Sequence, residues 1–532
     1  MPNDQFPWVK NYEQRVSENL SYPEISLSEM LENTTANYPD NLALVFNGEN
    51  ITYSRLLNLV NRLATALHAL GVKKGDRVAI MLPNCPQWVI GYFAVLKLGA
   101  IVVQTNPLYV ERELEYQFKD SGAETIIVLD SLLGRIANIK EHTALKRVIS
   151  VSLTEQATNK DSLAFASLLE EYPPDPPAVS IDPKEDIAIF QYTGGTTGTS
   201  KGVILTHYNL IVNVLQAQTW LPVRQGEERF LSVLPLFHVY SMTLNNNLAV
   251  FLGGSQYLLP KFDLYTVLKV INDYKPTMFF GAPSIYIAVI NHPSVADYDL
   301  KSINYCVSGS ATLPVEVAQR FGEITGGTLV EGYGLSEASP VTHINPFDGN
   351  ARIGSIGLPL SDTIAKIVDL ETGTIEMPPN EAGELIIKGP QVMKGYWNMP
   401  DETSTTLREG WLFTGDIAKM DEDGFFYIVD RKKDVIISGG LKTYPKEVEE
   451  VLFEHPKVME AAVVGIPDPA KGEVVKAFVV LQAGQTATQK ELITYCRQKL
   501  APYKVPRLVE FCESLPKSNV GKVLRKALRE KA

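Results

Sequence analysis

Apolar positions in the early part of the chain alternate between helical spacing and short continuous runs. A 4-3-4-3 spacing predicts an amphipathic helix that Thr52 or Ser54 caps and Gly71 ends, with Leu56, Val60, Leu63, Leu67 and Leu70 on its apolar face. Residues 78–82 follow as a buried apolar run, which predicts a strand. Residues 52–82 are therefore predicted to form a helix followed by a strand.

The same alternation continues along the chain. The sequence predicts a short helix near residues 27–37, a helix running into a strand over 87–103, a helix over 111–121 and a strand over 124–129. Further strands are predicted at 255–259, 278–281 and 305–308. Because helices alternate with buried strands, the pattern predicts an α/β fold with a largely parallel sheet.

Changes in this pattern divide the chain. Residues 152–186 are polar and rich in proline, which predicts a linker, whereas short strands with glycine and proline turns over 350–430 predict a small β-rich subdomain. A charged turn follows at 431–434, and the remainder carries its own strand and helix signals. We therefore predict a large N-terminal α/β domain over 1–430 and a small α+β C-terminal domain over 434–532.

Composition and charge narrow the class of protein. The chain has 532 residues, 45% of them hydrophobic, and a net charge of −12, which argues against a nucleic-acid-binding surface. Its four cysteines lie far apart, so we expect reduced thiols, a cytoplasmic location and no cysteine-ligated metal. Lys97 interrupts the longest apolar stretch, 88–103, which is too short for a membrane span, and no signal segment is expected at the N-terminus. Peripheral membrane contact and a homodimer stay open.

The most informative motif is QYTGGTTGTSKGVILTH at residues 191–207. Glycines allow backbone N–H groups to approach an anion closely, threonine hydroxyls add donors or a metal ligand, and Lys201 adds a positive charge. We interpret the motif as a loop that closes on nucleotide phosphates; a glycine- and threonine-rich hairpin or linker is the alternative. A Walker loop is excluded, because Ser200 precedes the lysine and Gly202 follows it.

A second motif, EGYGLSE at 331–337, places an aromatic ring between two glycines and ends in a carboxylate. Tyr333 suits stacking against a purine, and Glu337 suits Mg²⁺, which prefers one or two carboxylates together with phosphate oxygens. A turn around a buried tyrosine explains the pattern equally well. The small-residue turn that ends in Ser310 and Ala311 suits close approach by a base.

Weaker motifs lie nearer the C-terminus. Asp416 follows a glycine and, paired with Arg431, is a candidate ligand for ribose hydroxyls. Gly439 and Gly440 form a turn that allows close backbone approach. Lys522 also follows a glycine, and taken alone a solvated surface charge is its simplest interpretation.

Together and in this order, the motifs resemble the adenylate-forming superfamily of acyl-CoA synthetases, luciferases and peptide-synthetase adenylation domains. The resemblance covers essentially the whole chain and is greatest to bacterial long-chain fatty acyl-CoA synthetases. Ser336 stands where the family more often has threonine, and the hydroxyl is kept. The matching stretches are NPLY from Asn106, RELE from Arg112, YTGGTTG from Tyr192, LPLFHV from Leu234, EGYGLSE from Glu331, GWLFTGDI from Gly410 and DRKKDVIISGG from Asp430.

The resemblance implies a two-step reaction. A fatty acid carboxylate attacks the α-phosphate of ATP to give acyl-AMP and pyrophosphate, and the thiol of coenzyme A then displaces AMP. Lys522 would bridge the carboxylate and the α-phosphate, and Thr193 and Glu337 would reach Mg²⁺. His238 would gate the acyl site, although a satisfied core histidine is the usual explanation of such a residue.

The resemblance also assigns the remaining ligands of the nucleotide and of coenzyme A. The C-terminal domain would turn about a hinge at 431–433, centred on Lys433, and bring Gly439 and Gly440 to the pantetheine channel. The nucleotide set is Thr193, Gly194, Gly195, Thr196, Thr197, Gly198 and Lys201 for phosphates, Ser310, Ala311, Tyr333 and Gly334 for adenine, and Asp416 and Arg431 for ribose.

Alternatives to a long-chain fatty acid remain. In one alternative, the substrate is an aryl or medium-chain acid, as in 4-coumarate-type ligases. In another, the enzyme delivers the acyl-AMP to a carrier protein. The unbroken Ser438-Gly439-Gly440 turn argues against the carrier alternative. In a different class, the chain is a nucleotide-binding NTPase without acyl transfer.

Overall fold

The computed structural model describes residues 6–153, 161–193, 200–352, 354–438, 441–468, 472–518 and 522–531. Its helices in chain order are α1 Leu27–Asn37, α2 Tyr53–Ala69, α3 Pro86–Lys97, α4 Glu111–Ser121, α5 Leu133–Lys140, α6 Phe165–Glu171, α7 His207–Trp220, α8 Val239–Ser241, α9 Leu248–Leu252, α10 Leu264–Tyr274, α11 Pro283–Ile290, α12 Val315–Thr325, α13 Pro400–Thr406, α14 Pro445–Phe453, α15 Gln489–Lys499 and α16 Arg525–Glu530.

The strands are β1 Leu42–Phe46, β2 Glu49–Thr52, β3 Arg77–Met81, β4 Ile101–Gln104, β5 Thr125–Leu129, β6 Arg147–Val151, β7 Leu163–Ala164, β8 Ile187–Thr193, β9 Lys201–Thr206, β10 Arg229–Ser232, β11 Ser255–Leu258, β12 Tyr305–Ser308, β13 Thr328–Gly334, β14 Val341–Ile344, β15 Leu358–Pro359, β16 Ile364–Val368, β17 Gly383–Lys388, β18 Gly395–Tyr396, β19 Leu407–Arg408, β20 Trp411–Met420, β21 Phe426–Arg431, β22 Ile436–Ser438, β23 Leu441–Thr443, β24 Val458–Asp468, β25 Gly472–Leu481 and β26 Leu508–Phe511. A π-helical turn, Met242–Asn247, joins α8 to α9.

Local signals explain where the early elements begin and end. The Thr52 side chain accepts a hydrogen bond from the backbone N–H of Arg55 and so caps α2, whose apolar face is buried as predicted. In α3 nearly every side chain is buried, which agrees with the interpretation of 88–103 as a core helix running into a strand.

No helix within the described ranges is long and apolar enough to cross a membrane.

The larger of two compact units comprises residues 9–364 and 388–412. Its main sheet has the order β18-β9-β8-β4-β3-β5-β6-β7, parallel from β8 to β7 and antiparallel at β9 and β18. Two further sheets, β10-β11-β1-β2 and β12-β13-β14-β15, complete the unit. The predicted α/β fold with a largely parallel sheet is confirmed.

One local prediction in this unit was wrong, and another was met in part. The predicted linker over 152–186 contains β7 and α6, because Phe165 and Leu168 are buried under an otherwise polar surface. The predicted strand over 278–281 lies between β10 and β12 and pairs parallel with both, but within the described residues it does so only through isolated bridges at Met278 and Gly281. In both places tertiary packing, which a local pattern does not contain, decided the conformation.

The smaller unit comprises residues 365–387 and 413–532, together with the first residues of the chain. Strands β16, β17, β20 and β21 form a β-rich sheet, as predicted for 350–430. A second sheet, β23-β22-β25-β24 with β26 beside β25, packs against α14 and α15 around its own apolar core. The division into two units follows packing contacts. The predicted boundary at 431–433 concerns rotation of the C-terminal domain, which packing contacts do not test, so it stays a prediction.

Candidate active site

Strands β8 and β9 form the stems of the glycine- and threonine-rich motif. They pair antiparallel, with Tyr192 opposite Gly202 and Thr193 opposite Lys201. A Cβ on Gly202 would lie 3.2 Å from the Tyr192 ring, so a larger residue would require the ring to shift slightly. Five predicted phosphate ligands lie outside the described residues, namely Gly194, Gly195, Thr196, Thr197 and Gly198.

Helix α4 holds both stems. The Tyr192 hydroxyl donates to the Asp120 carboxylate at 2.6 Å, and the Tyr116 hydroxyl donates to the Ser200 carbonyl at 3.0 Å. Burial, and then the Asp120 carboxylate, raise the pKa of Tyr192, so its phenol keeps the proton that it donates. The sequence did not indicate these anchors, since α4 lies some 70 residues or more before the loop.

Lys201 and Glu337 are linked through Tyr396. The Lys201 ammonium lies 4.9 Å from the centroid of the Tyr396 ring and forms an ion pair with Glu402. The Tyr396 hydroxyl donates to Glu337 Oε1 at 2.8 Å, which fixes the carboxylate that follows β13. Lys201, a predicted phosphate ligand, and Glu337, a predicted metal ligand, therefore belong to one connected cluster. Tyr396, which connects them, was not identified from the sequence.

The predicted adenine residues follow two neighbouring parallel strands. Strands β12 and β13 pair with Ser308 opposite Glu331, so the segments that follow each strand lie side by side. Ser310 has a φ of 71°, a conformation that costs free energy outside glycine and places Ala311 at the surface. A Cβ on Gly334 would lie 2.1 Å from a backbone carbonyl oxygen, so this position requires glycine.

Tyr333, at the end of β13, faces His343 on β14. Their rings are 5.9 Å apart in an edge arrangement, and the tyrosine is only partly buried. Packing against His343 thus fixes one side of the Tyr333 ring, while the residue remains partly exposed to solvent. This arrangement suits a residue that stacks against a planar ligand.

His238 lies at the start of α8 and is partly buried. Its Nδ1 accepts from the backbone N–H of Tyr240 at 3.3 Å, and the Tyr240 hydroxyl donates to the Val307 carbonyl at 2.8 Å. A Cβ on Gly309 would lie 3.2 Å from the Tyr240 ring, so the two segments pack tightly. The segment that carries His238 is therefore bound to the end of β12, next to the predicted adenine residues Ser310 and Ala311.

The smaller unit gathers four predicted residues, Asp416, Arg431, Lys433 and Lys522. Asp416 and Arg431 face each other across β20 and β21, with Arg431 Nε 3.3 Å from the Asp416 carboxylate. Burial, and then the charge of Arg431, lower the pKa of Lys522 to about 7 and that of Lys433 to about 8; Asp416 opposes both shifts. Gly439 and Gly440 lie outside the described residues.

The backbone of Lys522 makes two hydrogen bonds with Ser518. Its carbonyl accepts from the Ser518 N–H at 2.7 Å, and its N–H donates to the Ser518 hydroxyl at 3.2 Å. A buried ionic network follows three residues later, where Arg525 binds Glu449 through two contacts of 2.8 and 2.9 Å. Sequence reasoning missed this network, because its members are far apart and each resembles an ordinary charged residue.

A metal ion at Glu337 would depend on ligands from a substrate. No group of three or more histidine, cysteine, aspartate or glutamate side chains within the described residues is arranged to hold a metal. Glu337 offers Oε2, which has no hydrogen-bond partner in the described part of the chain. One carboxylate oxygen beside phosphate-loop stems fits Mg²⁺, which keeps most of its ligands as waters and phosphate oxygens.

These elements are those expected of an α/β enzyme that binds a nucleotide, and the smaller unit carries a basic cluster. A family model of AMP-binding enzymes matches residues 31–397, and the model of their C-terminal domain matches 447–522. The chain belongs to the AMP-binding enzyme family. The predicted superfamily is confirmed.

Relatives match nearly the full length of the chain. A long-chain-fatty-acid–CoA ligase of Bacillus subtilis is 49% identical over 99% of this chain and 98% of its own. The enzyme of the same name from Escherichia coli O6:H1 is 40% identical over the same shares. The crystal structure of an anthranilate CoA ligase in complex with anthranoyl-AMP superposes with a TM-score of 0.88 at 29% identity, covering 96% of this chain and 98% of that one.

Proposed function

We propose that the protein is an AMP-forming long-chain fatty acid–CoA ligase. The carboxylate oxygen of the fatty acid attacks the α-phosphorus of ATP, and pyrophosphate leaves; the sulfur of coenzyme A then attacks the acyl carbon, and AMP leaves. The observation that carries the proposal is the cluster of Asp416, Arg431 and Lys522, which provides a ribose ligand beside a cation suited to an α-phosphate. Full-length identity of 49% to a ligase of this name supports the acid class.

The larger unit provides the phosphate and base contacts. The stems at Thr193 and Lys201 present the loop to the β- and γ-phosphates. Glu337, which Tyr396 positions, and Thr193 would hold Mg²⁺. Bound Mg²⁺ would neutralise phosphate charge. Tyr333 and Gly334, with the turn at Ser310 and Ala311, receive the adenine.

The smaller unit provides the group that acts on the α-phosphate. A protonated Lys522 bridges the acid carboxylate and the α-phosphate, which lowers the repulsion between two anions as they approach. Asp416 accepts hydrogen bonds from the ribose hydroxyls, and Arg431 holds the aspartate. His238 gates the acyl site; its hydrogen bond to the Tyr240 N–H fixes the position from which it does so.

The fatty acid carboxylate is the nucleophile of the first step and the coenzyme A thiol is that of the second, so the active site must have different surroundings in the two steps. We propose that residues 434–532 turn about 431–433 between the steps, with Lys433 at the centre of the hinge, relative to residues 1–430. Partial burial and neighbouring cations lower the pKa of Lys433, so a turn that exposes it to water is favourable for its charge. The turn would bring Gly439 and Gly440 to the pantetheine arm of coenzyme A.

We also propose that the protein is cytoplasmic. All four cysteines are free, which fits a reducing compartment. An aryl or medium-chain acid and transfer to a carrier protein have no better support. An NTPase without acyl transfer disagrees with the full-length similarity to acid–thiol ligases.

The test is pyrophosphate release across acids from acetate to oleate and coumarate, with and without coenzyme A. Each buried methylene contributes about 0.8 kcal/mol, so kcat/KM is expected to climb with chain length until the acyl pocket ends. Pyrophosphate release that depends on a long aliphatic acid supports the proposal. A preference for coumarate, or release of phosphate without any acid, would refute it.

A further inference from the structure

Asp430 connects the two sides of the predicted hinge. It is the second-last residue of β21, directly before 431–433, and its side chain is buried. Its Oδ2 accepts from the backbone N–H of Lys446 at 2.9 Å, and its Oδ1 accepts from the Arg431 N–H at 2.7 Å. The Lys446 ammonium donates back to the Ile428 carbonyl at 2.7 Å. The first turn of α14 is thus bound to the end of β21 at two points.

This contact replaces a missing helix cap. The N-cap residue of α14 is Tyr444, whose side chain caps no N–H group of the helix. A helix N-terminus carries unpaired N–H groups and a partial positive charge, which an aspartate satisfies well. Asp430 supplies that carboxylate from the other side of the hinge, so a rotation about 431–433 would leave α14 uncapped and Asp430 without the Lys446 N–H.

Arg525 adds a longer ionic contact across the hinge, with its guanidinium 4.0 Å from the Asp430 carboxylate, whereas the ionic contacts of Asp434 and Glu449 do not span the hinge. Asp434 binds Arg529 at 3.0 Å and Arg525 at 3.5 Å, and Arg525 binds Glu449. All four residues follow 431–433 in the chain and would move together. Asp434 is buried like Asp430, and it therefore provides a matched comparison on the moving side.

We propose that Asp430 is a latch that holds α14 and Lys522 in the arrangement that serves adenylation, a role that rests on the proposed two-step function. In the arrangement with Asp430 bound to Lys446, Lys522 lies close enough to Asp416 and Arg431 for their charges to act on it. The bond between Asp430 and Lys446 and the position of Lys522 near Asp416 and Arg431 therefore occur in the same arrangement. Weakening the latch shifts the population towards the arrangement that serves thioester formation.

The test compares Asp430→Asn with Asp434→Asn in both half-reactions. Pyrophosphate release in a single turnover reports adenylation, and acyl-CoA formation from supplied acyl-AMP reports the second step. Asp430→Asn keeps the shape but removes one charged acceptor, so adenylation is expected to fall about tenfold while the second step is unchanged or faster. Lys446→Met, which removes the bond to the Ile428 carbonyl, is expected to act in the same direction.

Asp434→Asn is expected to change both half-reactions by the same factor, because its partners move with it. An independent readout is tryptic cleavage after Arg431, Lys432 and Lys433, which is expected to be faster in Asp430→Asn without any substrate. An unchanged ratio of the two half-reactions in Asp430→Asn, or the same shift in Asp434→Asn, overturns the latch. If the unaltered protein releases no pyrophosphate with any acid, the proposed function fails instead, and cleavage still tests the latch.

Discussion

Lys522 should make adenylation depend on pH in a way that identifies the lysine. Its pKa is lowered to about 7, so it is charged below that pH and neutral above it. With a pKa near 7, the charged fraction falls about 90-fold between pH 6 and pH 9. If the charged lysine stabilises the transition state, kcat/KM for ATP in adenylation should fall by a similar factor over that range.

Variants separate the charge from the side chain. Lys522→Ala should slow adenylation about 10²–10³-fold at pH 6.5, as expected for the loss of one electrostatic stabiliser, and should lose less at pH 9, where the native lysine is already neutral. Lys522→Arg keeps its charge throughout, so the loss at alkaline pH should disappear. Lys517→Ala is the control, because it removes a lysine of the same segment whose partner is Glu460.

The assay is single-turnover pyrophosphate release from pH 6 to pH 9, with thioester formation from supplied acyl-AMP measured in parallel. The second step should show neither the pH dependence nor the loss in Lys522→Ala. Equal losses in both half-reactions would refute the catalytic role. The same pH dependence in Lys522→Ala as in the unaltered protein would show that another group titrates.

Three further predictions concern the nucleotide contacts. Asp416→Asn should weaken ATP binding about tenfold and abolish the preference for ATP over 2′-deoxy-ATP, measured by equilibrium binding. Tyr396→Phe removes the hydroxyl that holds Glu337, so the Mg²⁺ concentration for half-maximal adenylation should rise about two- to tenfold, without change in the KM for the fatty acid. Gly334→Ala should destabilise the protein by about 1–3 kcal/mol in chemical denaturation, whereas Gly134→Ala, with open space around its Cβ, should not.

Much of the fold was predictable because it follows from local pattern. The spacing of apolar residues and the Thr52 cap predicted α2, and the bounds predicted for α1 and α4 agree with the structure. The candidate ligands Asp416 and Arg431 were proposed from motifs, and the structure places them opposite each other in a hairpin. A motif predicts that two residues lie close together where backbone geometry determined by neighbouring residues brings them together; the ligand roles of Asp416 and Arg431 stay predictions.

The parts that were not predicted depend on residues distant in sequence. Helix α6 was not predicted, because it lies in a polar stretch and only two of its residues, Phe165 and Leu168, are buried. Tyr396 lies 59 residues from its partner Glu337, and Asp430 lies 16 residues from Lys446. A tyrosine or an aspartate in such a position has no local signature, so only the folded chain shows that it supports the site.

The basic cluster is itself an argument for an anionic ligand. Lys522 is partly buried beside Arg431, Lys433 and Arg525, and burial with these like charges disfavours its charged form. A lysine at an ordinary solvated surface would keep its usual pKa and would contribute nothing specific. An anion placed among these cations would restore the charge of Lys522 and be bound more tightly in return, since the coupling between proton and anion is reciprocal. The unfavourable environment of the charged lysine therefore favours a contact with the α-phosphate over the interpretation of Lys522 as a surface charge.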